Sequence, residues 1–388
     1  MVLFNFIYRS ISTHARKRCY GLLSSSSSPF STTTTSHSSN PNTFTTTYLI
    51  NSCGVSPESA LLASKRLDLS KSPKTADSVL TLLKNHGFTK SQVSKVILSC
   101  PKILLCDLEN TLLPNFKILN SLGFSNAELV TIVTSRPRSI MQGKFHDTAL
   151  LSVGFLRTVL GSDDKVINAI KRFPQVLTYD LQVYGAENIQ LLLEIGVPEL
   201  RIKSMLAQQP RTFFTSADRF KTVVGNVTKM GIDPSKARFL WAIHAFRAMS
   251  KSTWDKKVEL YMKWGWSKDE ILLAFERNPG CMMASMDKIT RILDFLVNTM
   301  GWDKSYIIQS PIIVCYSIEK RIIPRCLVYK YLAEKGLTGD IEDFCFTQSQ
   351  WLTYSEKLFL KWVVKKYEAE APELLKLYEK HMNVANGL

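Results

Sequence analysis

Apolar residues recur along this chain at helical spacing, in short runs separated by two kinds of interruption. After Gly87, Val93, Val96 and Ile97 fall on one helical face. A second set, Leu112, Leu113, Phe116, Leu119 and Leu122, predicts a helix from about Glu109 to Leu122. Between the two, Pro101 ends the first helix, because proline lacks a backbone donor and clashes with the preceding turn. Ile103-Leu104-Leu105 make an apolar turn too short for a full helix. Thr89 or Ser91 can cap the first helix, and Pro114 sits near the start of the second, where proline is tolerated. Gly123 supplies a left-handed C-terminal cap. The predicted unit is helix, proline-ended kink, helix, glycine.

Both interruptions repeat in phase. Gly87, Gly123, Gly161, Gly196, Gly231, Gly265, Gly301 and Gly336 are 34–38 residues apart. Pro101, Pro137, Pro210 and Pro279 each stand 14 residues after a glycine, Pro174 stands 13 after and Pro311 only 10 after. Ala245 occupies the proline position of the fifth unit. One such unit cannot bury its apolar face alone, but stacked neighbours can, so the predicted fold is all-α, an α-solenoid of about seven helical repeats. The β-branched run 307–314 is broken by Pro311, and no second domain is expected.

The ends read differently. Residues 1–57 contain Arg9, Arg16, Lys17 and Arg18 and no carboxylate, and Ser and Thr fill 20 of the first 47 positions. That composition predicts an organelle transit peptide and a disordered linker over 1–57, with the early arginines pointing to the mitochondrion and the chloroplast as alternative. The repeat domain is expected over 58–340 and capping helices over 341–388. In the latter, Glu356–His381 alternates charge with Leu358, Phe359, Trp362, Val363 and Tyr367.

Composition narrows the chemistry. Lys and Arg number 49 against 33 Asp and Glu, a net charge of +16, which favours acidic partners and nucleic acid first. No run approaches the ~18 apolar residues of a membrane span, so no integral membrane association is expected. The eight cysteines form no C-x-x-C pair and mostly lie in apolar runs, which predicts buried reduced thiols. No phosphate-binding loop, zinc-protease, nucleophile-elbow or dinucleotide motif is present, so no catalytic residue, metal site or cofactor is assigned. His244 lies in an apolar stretch and reads as packing, while Asp163-Asp164 and Asp340 with Glu342-Asp343 read as helix-start or turn charges.

The proline-centred phrases Cys100-Pro101-Lys102-Ile103-Leu104, Arg136-Pro137-Arg138-Ser139-Ile140 and Phe173-Pro174-Gln175-Val176-Leu177, with their spacing from the glycines, resemble the mitochondrial transcription termination factor (mTERF) family in its plant form. The likeness covers roughly 74–340, and Ala371-Pro372-Glu373-Leu374-Leu375-Lys376-Leu377-Tyr378 resembles the family's plant-type tail. Ala245, the shortened Gly301–Pro311 spacing and Phe213-Phe214 depart from the pattern and put the kink in those units in question. The resemblance implies a curved superhelix whose concave basic face cradles organellar DNA, RNA or both. It further implies non-catalytic work in transcription termination, another gene-expression step or intron splicing.

Cations keep phase with the repeat: Lys102, then Arg136 and Arg138, Lys171 and Arg172, Arg211, Arg247 and Arg277 lie within three residues of the proline position. In the last unit Arg321 and Arg325 come later, after Pro311. Stacked in register, these residues are expected to form one basic stripe for nucleic acid. Seven units at ~8–10 Å per helix span ~60–70 Å, or ~15–20 base pairs. About six neutralised phosphates would give a log–log salt slope near −5. The competing reading is that cations near helix C-termini complement helix dipoles, at ~0.3–1 kcal/mol each. A scaffold for other gene-expression proteins is the alternative function, and a monomer is expected. Among the aromatics, Tyr179, Tyr184, Phe213, Phe214, Phe246 and Trp254 are candidates for stacking on unpaired bases or, more simply, for the core.

Overall fold

A computed structural model describes residues 41–178, 181, 185–337 and 351–386, with no strand among them. The chain divides into two units, Met1–Lys221 and Thr222–Leu388.

In the first unit α1 (Pro41–Asn51), α2 (Pro57–Ser64) and α3 (Pro73–Asn85) precede the first proline-bearing repeat. That repeat runs α4 (Lys90–Ser99), a 3₁₀ turn Pro101–Leu105, a wide π turn Leu108–Leu112 and α5 (Leu113–Ser121). The second is α6 (Asn126–Ser135), the 3₁₀ turn Ser139–Met141 and α7 (Phe145–Leu160). The third is α8 (Asp163–Arg172), the turn Pro174–Thr178 and α9 (Ala186–Glu194). α10 (Glu199–Gln208) and the turn Pro210–Thr212 lead into α11 (Ala217–Lys229), within which the division falls.

The second unit continues with α12 (Ala237–Ala248) and α13 (Lys251–Lys263), then α14 (Lys268–Arg277), the turn Pro279–Met282 and α15 (Met286–Leu293). The last repeat is α16 (Lys304–Gln309), the turn Pro311–Cys315 and α17 (Ile323–Glu334). The stretch 307–314 therefore belongs to a helix and a 3₁₀ turn. The described tail holds α18 (Glu356–Phe359) and α19 (Leu374–Asn386). Phe359, Val363, Ala371, Leu374 and Tyr378 form one buried cluster with Val328 and Leu332 of α17. Leu358 and Trp362, on the other side, stay exposed.

The local chemistry follows the sequence pattern. Thr89 caps α4 in a reciprocal pair with Gln92, as do Ser125 with Glu128 on α6 and Ser267 with Glu270 on α14. All eight phased glycines have φ between +66° and +92°. At Gly123 (φ +92°) a Cβ would meet nothing within 4 Å, so the constraint there is the left-handed backbone itself. Val93, Val96, Ile97, Leu112, Phe116 and Leu119 are all buried, each contributing about 1.5–3 kcal/mol of apolar burial.

The departures behave unequally. Without its proline, α12 passes straight through Ala245 with no 3₁₀ turn before α13. The short spacing before Pro311 shortens α16 to six residues but keeps the turn. At Phe213-Phe214 the turn persists in a three-residue form, and the Phe214 ring stacks on Phe173 at 6.0 Å.

The linker expected to reach residue 57 is corrected from Pro41 onward, because α1 is folded. Thr45 and Leu49 are fully buried there, and the Leu69 backbone N–H donates to Thr45 Oγ1 at 3.0 Å. Hydroxyl-rich composition suggested a loop, but a threonine buried with a hydrogen-bond partner is compatible with a packed helix. Gly54 (φ +69°) stands 33 residues before Gly87, one period earlier, and Asp68 takes the place of that unit's proline.

One feature of the repeats was not foreseen. Carbonyls in or just after most of the 3₁₀ turns, and in the segment after α17, accept a hydrogen bond from a side chain of the preceding repeat. Asn115 Nδ2 donates to Ile140 O at 2.8 Å, and Asn188 Nδ2 to Phe213 O and Thr215 O at 2.7 and 2.9 Å. In the second unit the donors are charged. Lys257 Nζ reaches Met282 O at 2.6 Å and Lys288 Nζ reaches Cys315 O at 2.8 Å. Arg325 Nη1 reaches Trp351 O and Tyr354 O, both at 2.7 Å.

Candidate nucleic-acid interface

The geometry of the 3₁₀ turn decides which side chains reach solvent. With three residues per turn, the residue after the proline points outward while the next two point inward. Lys102 is exposed above the fully buried Ile103 and Leu104. Arg138 is exposed above Ser139 and Ile140, and Arg211 above Thr212 and Phe213. The side chains of Lys102, Arg138 and Arg211 have no ion-pair or hydrogen-bond partner among the described residues. The same slot holds half-buried Gln175 in the third repeat, Gly280 in the sixth and half-buried Ile312 in the seventh.

Cations before the proline have a different fate. Arg172 Nη1 donates to Gln208 O at 3.3 Å and Arg277 Nη1 to Ile308 O at 3.2 Å. Each acceptor lies in the last turn of the next repeat's first helix, so the dipole complement operates between repeats. Arg136 reaches the Gln175 amide oxygen at 2.8 and 2.9 Å when that amide is oriented oxygen-inward. Lys171 pairs with Glu128 at 2.9 Å, linking α8 back to α6. Lys304 pairs with Glu270 at 3.0 Å, linking α16 to α14. Lys171 and the Ser125 cap hold the Glu128 carboxyl below its usual range, and the Ser267 backbone N–H and Lys304 do the same for Glu270.

The remaining expected contacts divide further. Arg247 is half-buried, and the Arg321 guanidinium lies 4.4 Å over the Tyr316 ring. Arg325 is corrected from ligand contact to internal staple. It is 3% exposed, donates to the carbonyls of the C-terminal segment and stacks at 4.6 Å on Phe359. Burial lowers its pKa and that of Lys257, since low-dielectric surroundings disfavour the charged form. The late position of Arg325, beyond Pro311 and inside a helix, was the sequence signal that set it apart from the other cations.

The aromatics largely take the core reading. Phe213 and Phe214 are buried, Phe246 and Trp254 are half-buried and stacked on each other at 4.6 Å, and Tyr179 and Tyr184 lie outside the described residues. His244 is buried beside Trp241 at 5.7 Å. Asp163 pairs with Arg157 at 2.7 Å in the first turn of α8, while Asp340, Glu342 and Asp343 lie outside the described residues. Burial pushes the thiols of Cys53 and Cys281 up to about 12 and raises that of Cys315 as well. Among the described residues no group of three or more His, Cys, Asp or Glu could hold a metal, and no helix is long and apolar enough to cross a membrane.

Two cations were missed by the sequence reading. Lys65 and Arg66, in the turn after α2, line a cleft of about 820 Å3 together with Lys102 and Arg138. Extending the glycine period back to Gly54 would have brought them into view.

Comparison with known proteins completes the picture. The mTERF family model matches residues 22–185 and 139–360. The chain is 21% identical over 229 residues to transcription termination factor MTERF8, chloroplastic, of Arabidopsis thaliana, covering 58% of this chain and 45% of that protein. It is 20% identical over 223 residues to transcription termination factor MTERF15, mitochondrial, of the same plant, covering 58% and 49%. The chain spans about half the length of the curated relatives it matches.

Proposed function

The chain belongs to the mTERF family, and from that premise we propose that it binds nucleic acid inside an organelle and regulates gene expression there without catalysis. The step is the termination or control of transcription, in line with the names of its relatives. The observation that carries the reading is the solvent-facing row Lys102, Arg138 and Arg211, one cation on each of three proline turns, with no internal partner among the described residues. Three recurring, unpaired cations match the regular charge of a phosphate backbone, which supplies most of the affinity of such contacts. The mitochondrion is the proposed compartment, on the basic, acid-free composition of the first residues.

Two measurements test this. Crosslinking in isolated organelles, followed by sequencing of the attached nucleic acid, should recover defined organellar sites. In vitro, K102E/R138E/R211E should lose duplex binding and flatten the log–log salt slope by ~2.7, at ~0.9 per lost phosphate contact. Unchanged binding by that variant, with an unaltered salt slope, overturns the proposal.

A further inference from the structure

We propose that the cleft at the start of the repeat array holds an unpaired nucleotide of a single strand of nucleic acid. This rests on the nucleic-acid reading above and adds to it a place and a form of ligand. The cleft is built from the end of α2 with its following turn, the end of α4, and the proline turns after α4 and α6. The earliest repeat has Asp68 in place of a proline and forms no proline turn of its own.

Two chemistries meet in it. Lys65, Arg66, Lys102 and Arg138 line it, all exposed and with no ion-pair or hydrogen-bond partner for their side chains among the described residues. No carboxylate is among the lining residues. Between the cations, Leu62 and Leu98, 60% and 44% exposed, form an apolar wall with Met141. Gathered like charges repel one another until an anion sits among them. Exposed leucine and methionine surface gains by contact with a ring face. An unpaired nucleotide offers both, phosphate to the cations and a base to the wall, and the planes of Arg66 and Arg138 can stack on the base as well.

A duplex offers only half of this. Its ring faces are stacked inside, so it would neutralise the cations and leave the leucine wall wet. At about 820 Å3 the cleft has the size of a small-ligand pocket, enough for a base with its flanking phosphates.

The test uses the full chain, fluorescence anisotropy and three probes: a 12-nucleotide single strand, its blunt duplex, and the same strand with abasic sites. K65A/R66A should weaken single-strand binding about tenfold and flatten its salt slope by ~1.4, at ~0.7 per phosphate, with a smaller effect on the duplex. L62A/L98A should weaken single-strand binding a few-fold at unchanged salt slope. The unmodified chain should bind the abasic strand more weakly than the intact one, a result that depends on no variant folding. Wild-type affinity of K65A/R66A for the single strand, or equal affinity for the abasic strand, overturns the assignment. If K102E/R138E/R211E loses duplex binding in the same series, only the cleft assignment falls. An unmodified chain that binds neither oligonucleotide overturns both this and the function it rests on. Competition by polyglutamate as strong as by the oligonucleotide would make the occupant an acidic polypeptide and overturn the proposal too.

Discussion

The repeats of residues 41–221 and those of residues 222–388 share one plan and use their cations differently. In the first stretch the slot after the proline carries Lys102, Arg138 and Arg211, all pointing to solvent. In the second the same slot carries Gly280 and Ile312, while Lys257, Lys288 and Arg325 donate to backbone carbonyls of the following segment. The contrast is not one of charge supply, since residues 222–388 contain 24 Lys and Arg against 19 Asp and Glu. Phase along the sequence brings a cation to the right turn. Whether it stands just after the proline, as Lys102, Arg138 and Arg211 do, or one or two residues before it, as Arg136, Arg172 and Arg277 do, decides whether it meets water or the next repeat.

The sharpest way to break this comparison is at the staples. Arg325→Met should cost about 3–5 kcal/mol, because it strands buried carbonyls and removes a stacked guanidinium. Chemical denaturation should show it, while the remaining native protein binds nucleic acid normally. An unaltered denaturation midpoint would return Arg325 to the surface role it was first assigned. The reverse pattern is expected of K102E/R138E/R211E, with affinity down on the order of 100-fold at physiological salt and the thermal midpoint little changed. K268E/K320E/K330E, with the same charge change on exposed lysines of the other stretch, is the control, and an equal loss there would dissolve the distinction.

Asn188→Ala should cost about 2 kcal/mol by leaving the carbonyls of Phe213 and Thr215 unpaired, and Asn115→Ala a similar amount. A much smaller cost than for Arg325→Met would show that charged staples are the stronger ones. Gly123→Ala should cost about 1 kcal/mol through backbone strain at φ +92°, as should Gly301→Ala at φ +69° in the other stretch. Equal effects by differential scanning calorimetry would confirm that this device does not differ between the two.

The smallest expected effect is on acid stability. Glu128 and Glu270 have folded pKa values below the ordinary 4.5, so their contribution is complete above that value and is lost as pH falls through the depressed range. The thermal midpoint should therefore hold from neutral pH to about 5 and decline below 4.5. E128Q and E270Q should each flatten that decline, and a decline identical to wild type in both variants would remove these pairs from the account.

Much of the fold was legible because its determinants are local. Proline ended each first helix where one was present, and its absence at Ala245 let α12 run on. The N-terminal start was misjudged because hydroxyl-rich composition resembles a linker, and only Leu69, 24 residues away, shows that Thr45 is buried and bonded. The candidate site was legible as a set and not as individuals. Lys171 was indistinguishable from Lys102 until Glu128, 43 residues earlier, came to lie beside it.

The sequence by itself determined the period, the kinks, the helix caps and the left-handed glycines, because each depends on sterics and hydrogen bonds within a few residues. Tertiary structure alone decided which cations stay free, which brace the adjoining repeat and which disappear into the core. Those outcomes depend on carbonyls and carboxylates about one repeat away along the chain, and only folding brings them within bonding distance.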